Sequence, residues 1–95
     1  MAQIEWLPEA RGDLQRLFEF IAAHAPEAAA RAVQAIVAGV DQLSDFPETG
    51  RPWSPDMAYR ELTVPFGARG YVVRYRVFGE RVIIVRVWHG LEARG

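Results

Sequence analysis

The sequence predicts an α+β fold in the order β-α-α-β-β-β, with an N-terminal helical hairpin packed on a small antiparallel sheet. Three observations predict it. Apolar residues recur at helical spacing from Leu14 to Leu43, they alternate with a period of two through the C-terminal third, and breakers between these stretches leave only short joints. With 95 residues and 51% hydrophobic content, the chain has material for one core, so residues 1–95 are expected to form a single domain.

Gln3 to Trp6 is short and suits an edge strand. Pro8 is placed for the first turn of a helix, and Glu9 behind it favours the positive end of the helix dipole. Leu14, Leu17, Phe18 and Ile21 then form one apolar stripe, and the helix should stop near His24-Ala25 because Pro26 restricts the residue before it. Pro26 and Glu27 open a second helix, in which Ala29, Val33, Ile36, Val37, Val40 and Leu43 keep helical spacing. Its many alanines and Gly39 allow close approach, and the short joint at His24-Ala25-Pro26 forces an antiparallel helical pair. The breakers from Phe46 to Pro52 end that helix. Trp53 to Met57 reads as loop, Tyr59 to Val64 as a strand, and Pro65 to Ala68 as a turn. The run from Gly70 to Gly90 is a long hairpin about a Gly79-Glu80 turn.

That turn sets Phe78 opposite Arg81 and divides the hairpin into two faces. Tyr71, Val73, Tyr75 and Val77 lie with Val82, Ile84, Arg86 and Trp88, the predicted core face. Val72, Arg74, Arg76 and Phe78 lie with Arg81, Ile83, Val85, Val87 and His89. Arginine is costly to bury, so the second set is the predicted functional face, and its aliphatic strip calls for a covering partner. A bulge would reverse part of this assignment, and Arg86, a cation set among core residues, is the point of conflict.

Composition excludes several classes. There are no cysteines, hence no disulfide framework and no thiolate metal site, and no cofactor or metal is expected. Met1 to Trp6 lacks a basic region followed by an apolar stretch, and no apolar run approaches membrane-spanning length, so a cytoplasmic protein with no membrane partner is expected. A net charge of −1 argues against gripping nucleic acid through phosphates, and sequence-specific DNA binding by this chain alone is not expected. All eleven basic residues are arginine, and most of them follow Phe46. Plainer roles stand beside the functional ones. His24 and His89 can simply end a helix and a strand, Trp6, Trp53 and Trp88 can be packing residues, and Arg60 and Arg74 can pair with Glu61 or Glu80 across strands.

Asp13-Leu14 and Phe20-Ile21-Ala22, Pro26 with Ala28-Ala29, Leu43, Phe46-Pro47, Gly50-Arg51, and Tyr59-Arg60-Glu61-Leu62 occur in order along the chain. Tyr71-Val72-Val73-Arg74-Tyr75-Arg76-Val77 and Val85-Arg86-Val87-Trp88-His89-Gly90 complete the series. In this order and spacing the chain resembles, over essentially its whole length, the RelE/ParE superfamily of bacterial type II toxins, and is closest to the ParE-like branch. The resemblance implies the toxin of a toxin–antitoxin system, of the kind associated with plasmid stabilization. It would be neutralised by an antitoxin from the adjacent gene, ParD-like on this branch, with a DNA-binding part and a segment that folds over the toxin. The groove between the helical pair and the sheet is the expected antitoxin surface. ParE-like members inhibit DNA gyrase by binding it, whereas RelE-like members cleave mRNA in the ribosome. For a nuclease, His89 would be the acid or base and Arg60, Arg74 or Arg76 the cationic clamp. Such nucleases often carry arginine where Val72 stands and a tyrosine near the position of His89 in the C-terminal segment; none follows it here. The gyrase reading is therefore preferred, with Arg74, Arg76, Arg81, Ile83, Val85, Val87 and His89 as the candidate face for target or antitoxin.

Overall fold

The computed structural model describes residues 1–53 and 58–92. The elements run β1 (Gln3–Trp6), α1 (Pro8–Ala22), α2 (Pro26–Asp41), β2 (Arg51–Pro52), β3 (Arg60–Val64), β4 (Tyr71–Phe78) and β5 (Arg81–His89). A 3-10 turn over Gln42–Ser44 continues α2. Among the described residues the strands make one sheet in the order β1-β5-β4-β3-β2. β1 joins β5 in parallel and the other pairs are antiparallel, so the sheet is mixed, and the two-residue β2 adds an edge in the stretch read as a connection. The predicted loop from Trp53 to Met57 lies, after Trp53, outside the described residues.

Both helices begin at the expected prolines, and the turn between them is closed by the Ala25 N–H donating to the Ile21 carbonyl at 2.8 Å. α2 buries Ala29, Ala32, Ile36 and Val40, which recur along one face. Gly39 rests against β3, where an added Cβ would stand 3.0 Å from Val64 Cγ2. α1 turns the predicted apolar stripe inward except at Phe18: Leu17 is buried, and Leu14 and Ile21 pack against the core. Ala10, Asp13 and Leu17 are its buried positions, while Phe18 is 38% exposed. The core fills with Leu17, Ile36, Val40 and Leu43 against Val73, Tyr75, Val82, Ile84 and Val87. Tyr75 is fully buried and ties down the connection after α2, accepting from the Gly50 N–H and donating to the Pro47 carbonyl, both at 2.8 Å. No helix among the described residues is long and apolar enough to cross a membrane.

The hairpin tip has the expected register, with Phe78 opposite Arg81 and Val77 opposite Val82. Beyond it the register shifts. Tyr75 pairs with Ile84 and Arg74 with Arg86, leaving Val85 as an extra residue on β5. Every residue after the bulge changes face. Val87, predicted on the functional face, is completely buried in the core, and His89 follows it onto the helix side. Arg86 and Trp88, predicted as core-facing, leave that face. Strict alternation would have driven a guanidinium into the core, and the extra residue puts Val87 there instead.

The bulge is held from α1. β1 ends opposite Ile84, so the β5 edge beyond it has no strand beside it. Asp13 takes that place: Oδ2 accepts from the Val87 N–H at 2.8 Å and from Arg86 Nε at 2.8 Å, and Oδ1 accepts from Arg86 Nη2 at 3.1 Å. Arg16 donates to the Val87 carbonyl at 3.4 Å. Burial alone would raise the Asp13 pKa, but the Arg86 and Val87 hydrogen bonds and the charges of Arg86 and Arg16 outweigh it, holding the carboxyl below its ordinary 3.8.

Asp13→Ala should lower unfolding free energy by about 2–3 kcal/mol in urea titration, because a buried N–H and an arginine lose their acceptor together. The folded-state pKa is depressed, so this stabilisation is complete above the unfolded value and is lost as pH falls through the folded one. The stability gap between wild type and Asp13→Asn should stay constant above about pH 5 and narrow below about pH 4. Tyr75→Phe should cost about 1–3 kcal/mol by leaving the Gly50 N–H buried without an acceptor.

Candidate functional site

Because Val73 and Tyr75 point into the core, Arg74, Arg76 and Phe78 stand on the outer face of β4, away from both helices. Glu61 of β3 lies directly opposite Arg74 and Arg86 of β5 lies on its other side. Cross-strand pairing explains the first contact: Glu61 Oε2 accepts from Arg74 Nε at 3.1 Å and from Nη2 at 2.9 Å. Both side chains are about nine-tenths buried, at 10% and 8% exposure.

Two indoles do the burying. The Arg74 guanidinium carbon lies 3.6 Å from the Trp53 ring centre and 4.7 Å from that of Trp88. The alternation continues in both directions. Trp53 meets Tyr59 edge-on at 6.1 Å, Tyr59 lies 5.4 Å from Arg76, and Arg76 lies 5.9 Å from Phe78. At the other end Trp88 lies 5.2 Å from Arg86, which reaches Asp13. The result is one continuous ladder of arginines and aromatic rings along the outer face. Trp53 and Phe78 remain 45% and 60% exposed within it. Ile83 sits beside Arg76, and Arg81 is paired with Glu5 at the sheet edge.

A second feature lies on the opposite side. Leu17, Phe20 and Ile21 of α1 face Tyr71, His89 and Leu91 across a groove of about 630 Å³. The His89 ring stands edge-on to Tyr71 at 5.6 Å, and its Nδ1 accepts from the Leu91 N–H at 3.2 Å. Arg16 and Glu92 close the rim as an ion pair at 2.7 Å. This is a groove between the first helix and the sheet, and its walls are chiefly apolar.

The residues selected from sequence are thus separated. Arg74, Arg76, Arg81 and Ile83 share the outer face, Val85 is the bulge residue, Val87 is core, and His89 belongs to the groove. Arg60, on the inward side of β3, donates to the Glu48 and Gly50 carbonyls at 3.1 and 2.7 Å and braces the connection after α2. Sequence reasoning left Trp53 and Tyr59 out of the site and set Trp88 on the wrong face. The alternation of Glu61 against Arg74 was a usable signal; the approach of Trp53 from a loop was not. No group of three or more His, Cys, Asp or Glu among the described residues is placed to hold a metal ion.

The family described as the ParE toxin of the type II toxin–antitoxin system, parDE, matches residues 4–94. The chain is 44% identical to Toxin RelE3 of Caulobacter vibrioides over 94 residues, covering 99% of this chain and 100% of that one. It is 41% identical to Toxin RelE1 of the same organism over 85 residues, covering 90% and 89%. Among solved structures, a chain of the chromosomal ParDE system from P. aeruginosa superposes with a TM-score of 0.78 at 29% identity, covering 94% of this chain and 96% of that one. A chain of the RelBE2 toxin–antitoxin complex from Mycobacterium tuberculosis superposes at 0.66 with 25% identity, covering 93% and 96%.

Replacing Arg74 by alanine should cost about 3 kcal/mol, because Glu61 stays buried after losing its cation. Arg74→Lys should restore only part of this, since an ammonium lacks the planar fork that lies between the indoles. Urea unfolding followed by tryptophan fluorescence measures both, and the native emission of each variant should shift as Trp53 and Trp88 lose the stacked guanidinium.

Proposed function

Since the chain belongs to the ParE toxin family of type II toxin–antitoxin systems, we propose that it acts by binding DNA gyrase, trapping the enzyme on cleaved DNA, and performs no chemistry of its own. An antitoxin encoded in the adjacent frame, ParD-like in kind, holds it inactive, and toxin and target meet in the cytoplasm.

One observation carries the choice between binding and cutting: the four residues a nuclease would need are dispersed. RNA cleavage requires an acid or base within hydrogen-bond reach of the reacting oxygens, together with a cation on the phosphorane. His89 lies in the helix-side groove, Arg60 is occupied by two carbonyls on the inner side of β3, and Arg74 is enclosed by Glu61 and two indoles. Arg76 alone stands on the open face with its charge uncommitted, and the groove that holds His89 lies on the other side of the sheet. The ladder also makes a poor platform for stacked bases. The Trp53 ring is already covered at 3.6 Å by the chain's own guanidinium, so that face cannot receive a nucleobase. What remains is tryptophan, tyrosine and arginine presented on a rigid sheet, the composition of a protein-binding hot spot.

The curated relatives carry the name RelE, which favours ribosome-dependent mRNA cleavage as the second reading. Two assays on the purified chain separate the readings: gyrase supercoiling with cleavage-complex accumulation, and mRNA cleavage on programmed ribosomes. Inhibited supercoiling with intact mRNA is expected. Cut mRNA with gyrase untouched would overturn the proposal. Growth arrest on expression should persist in His89→Ala, whereas a nuclease dependent on that imidazole would lose about 100-fold or more in rate.

A further inference from the structure

Among the described residues, three of the arginines on or beside the outer sheet face have a carboxylate. Arg74 has Glu61, Arg81 has Glu5 and Arg86 has Asp13. Arg76 pairs with no acid among the described residues, and its Nε is buried with no hydrogen-bond partner. A guanidinium N–H removed from water without an acceptor is an unfavourable arrangement, retained where an incoming group supplies the acceptor. We infer that Arg76 is the anchor of the antitoxin-docking surface, and that it receives an aspartate or glutamate of an antitoxin segment laid along the outer sheet face. The inference rests on the toxin–antitoxin reading above.

The surroundings of Arg76 define what that segment carries. Tyr59 and Phe78 flank the guanidinium at 5.4 and 5.9 Å, Ile83 lies beside it on β5, and Phe78 is 60% exposed. Apolar side chains on either side of the acid would cover these rings and dry the ion pair, the condition under which such a pair gains most. Both helices pack on the other side of the sheet, so a segment can reach β4 and β5 without displacing any element of the fold. A nucleic-acid phosphate is the poorer fit. Glu61 and Glu5 lie on the same face as Arg76, and the whole chain carries a net charge of −1. The α1 groove is also the poorer anchor, because its rim charges, Arg16 and Glu92, already satisfy each other at 2.7 Å.

The test uses the full-length chain and the antitoxin encoded beside it, with the dissociation constant of the pair measured for wild type and variants. Arg76→Gln should weaken binding about 30-fold and Phe78→Ala about tenfold, while Arg31→Gln on the exposed side of α2 should leave it unchanged. Arg76→Gln should also flatten the salt dependence of affinity without lowering the melting temperature, a result that a purely structural role would not give. One antitoxin Asp→Asn or Glu→Gln substitution should reproduce the loss and add nothing to Arg76→Gln in a double-mutant cycle. Wild-type affinity in both Arg76→Gln and Phe78→Ala, with loss in Phe20→Ala of the groove, would overturn the inference while leaving the toxin–antitoxin reading standing. Failure of the wild-type chain to bind that antitoxin at all would overturn both.

Discussion

The carboxylate of Asp13 is the contact on which the arrangement of the sheet depends. β5 has a partner on both edges only as far as Ile84, because β1 ends there and the chain turns into α1. From that point side chains of α1 and of the turn after β5 supply what a strand would have supplied. Asp13 receives the Val87 N–H, Arg16 reaches the Val87 carbonyl, and Glu92 receives the His89 N–H at 2.7 Å. Buried backbone groups demand partners, and three side chains meet that demand at a place where the sheet runs out. Because Asp13 also binds Arg86, the same carboxylate holds the bulge residue's neighbour off the core.

The make-up of the two sheet faces follows from the bulge through geometry. One extra residue at Val85 exchanges the faces of Arg86 through His89. Trp88 thereby moves outward onto Arg74, and with Trp53 on the other side it encloses a buried ion pair that would otherwise be half in water. His89 moves inward against Tyr71 and α1, away from the arginines that a catalytic histidine would need. A single insertion in one strand thus gathers arginines and aromatic rings on the outer face and sets His89 on the helix side. The buried Arg74–Glu61 pair is not by itself a large source of stability, since desolvation offsets much of its attraction. Its role is positional: it sets the indoles, and through Trp53 and Tyr59 the row extends to Arg76.

Much of the fold was legible in the chain. The prolines at 8 and 26 marked the helix starts, the small residues of α2 marked a close approach that Gly39 makes against Val64, and the glycine at 79 marked the hairpin tip and its register. Arg86 on a predicted core face was a visible contradiction, and a bulge was its stated remedy. The site was less legible. Asp13 is an acid in an amphipathic helix, and its burial in place of the half-exposed Phe18 depends on an arginine 73 positions away. Trp53 reaches Arg74 from a connection without regular structure, where no periodicity assigns a direction to a side chain.

By itself the sequence determined the order of the main elements apart from β2, the α+β class and the helical pair, which rest on local propensity, and the membership of the toxin superfamily, which rests on motifs spaced along the whole chain. Tertiary structure alone decided which face each residue after Ile84 occupies, that His89 and the outer-face arginines are apart, and that the Arg76 Nε is buried without a hydrogen-bond partner. Those outcomes come from long-range pairing between charges and from the need to satisfy backbone groups at a sheet edge. Both are settled only when α1 and β5 meet.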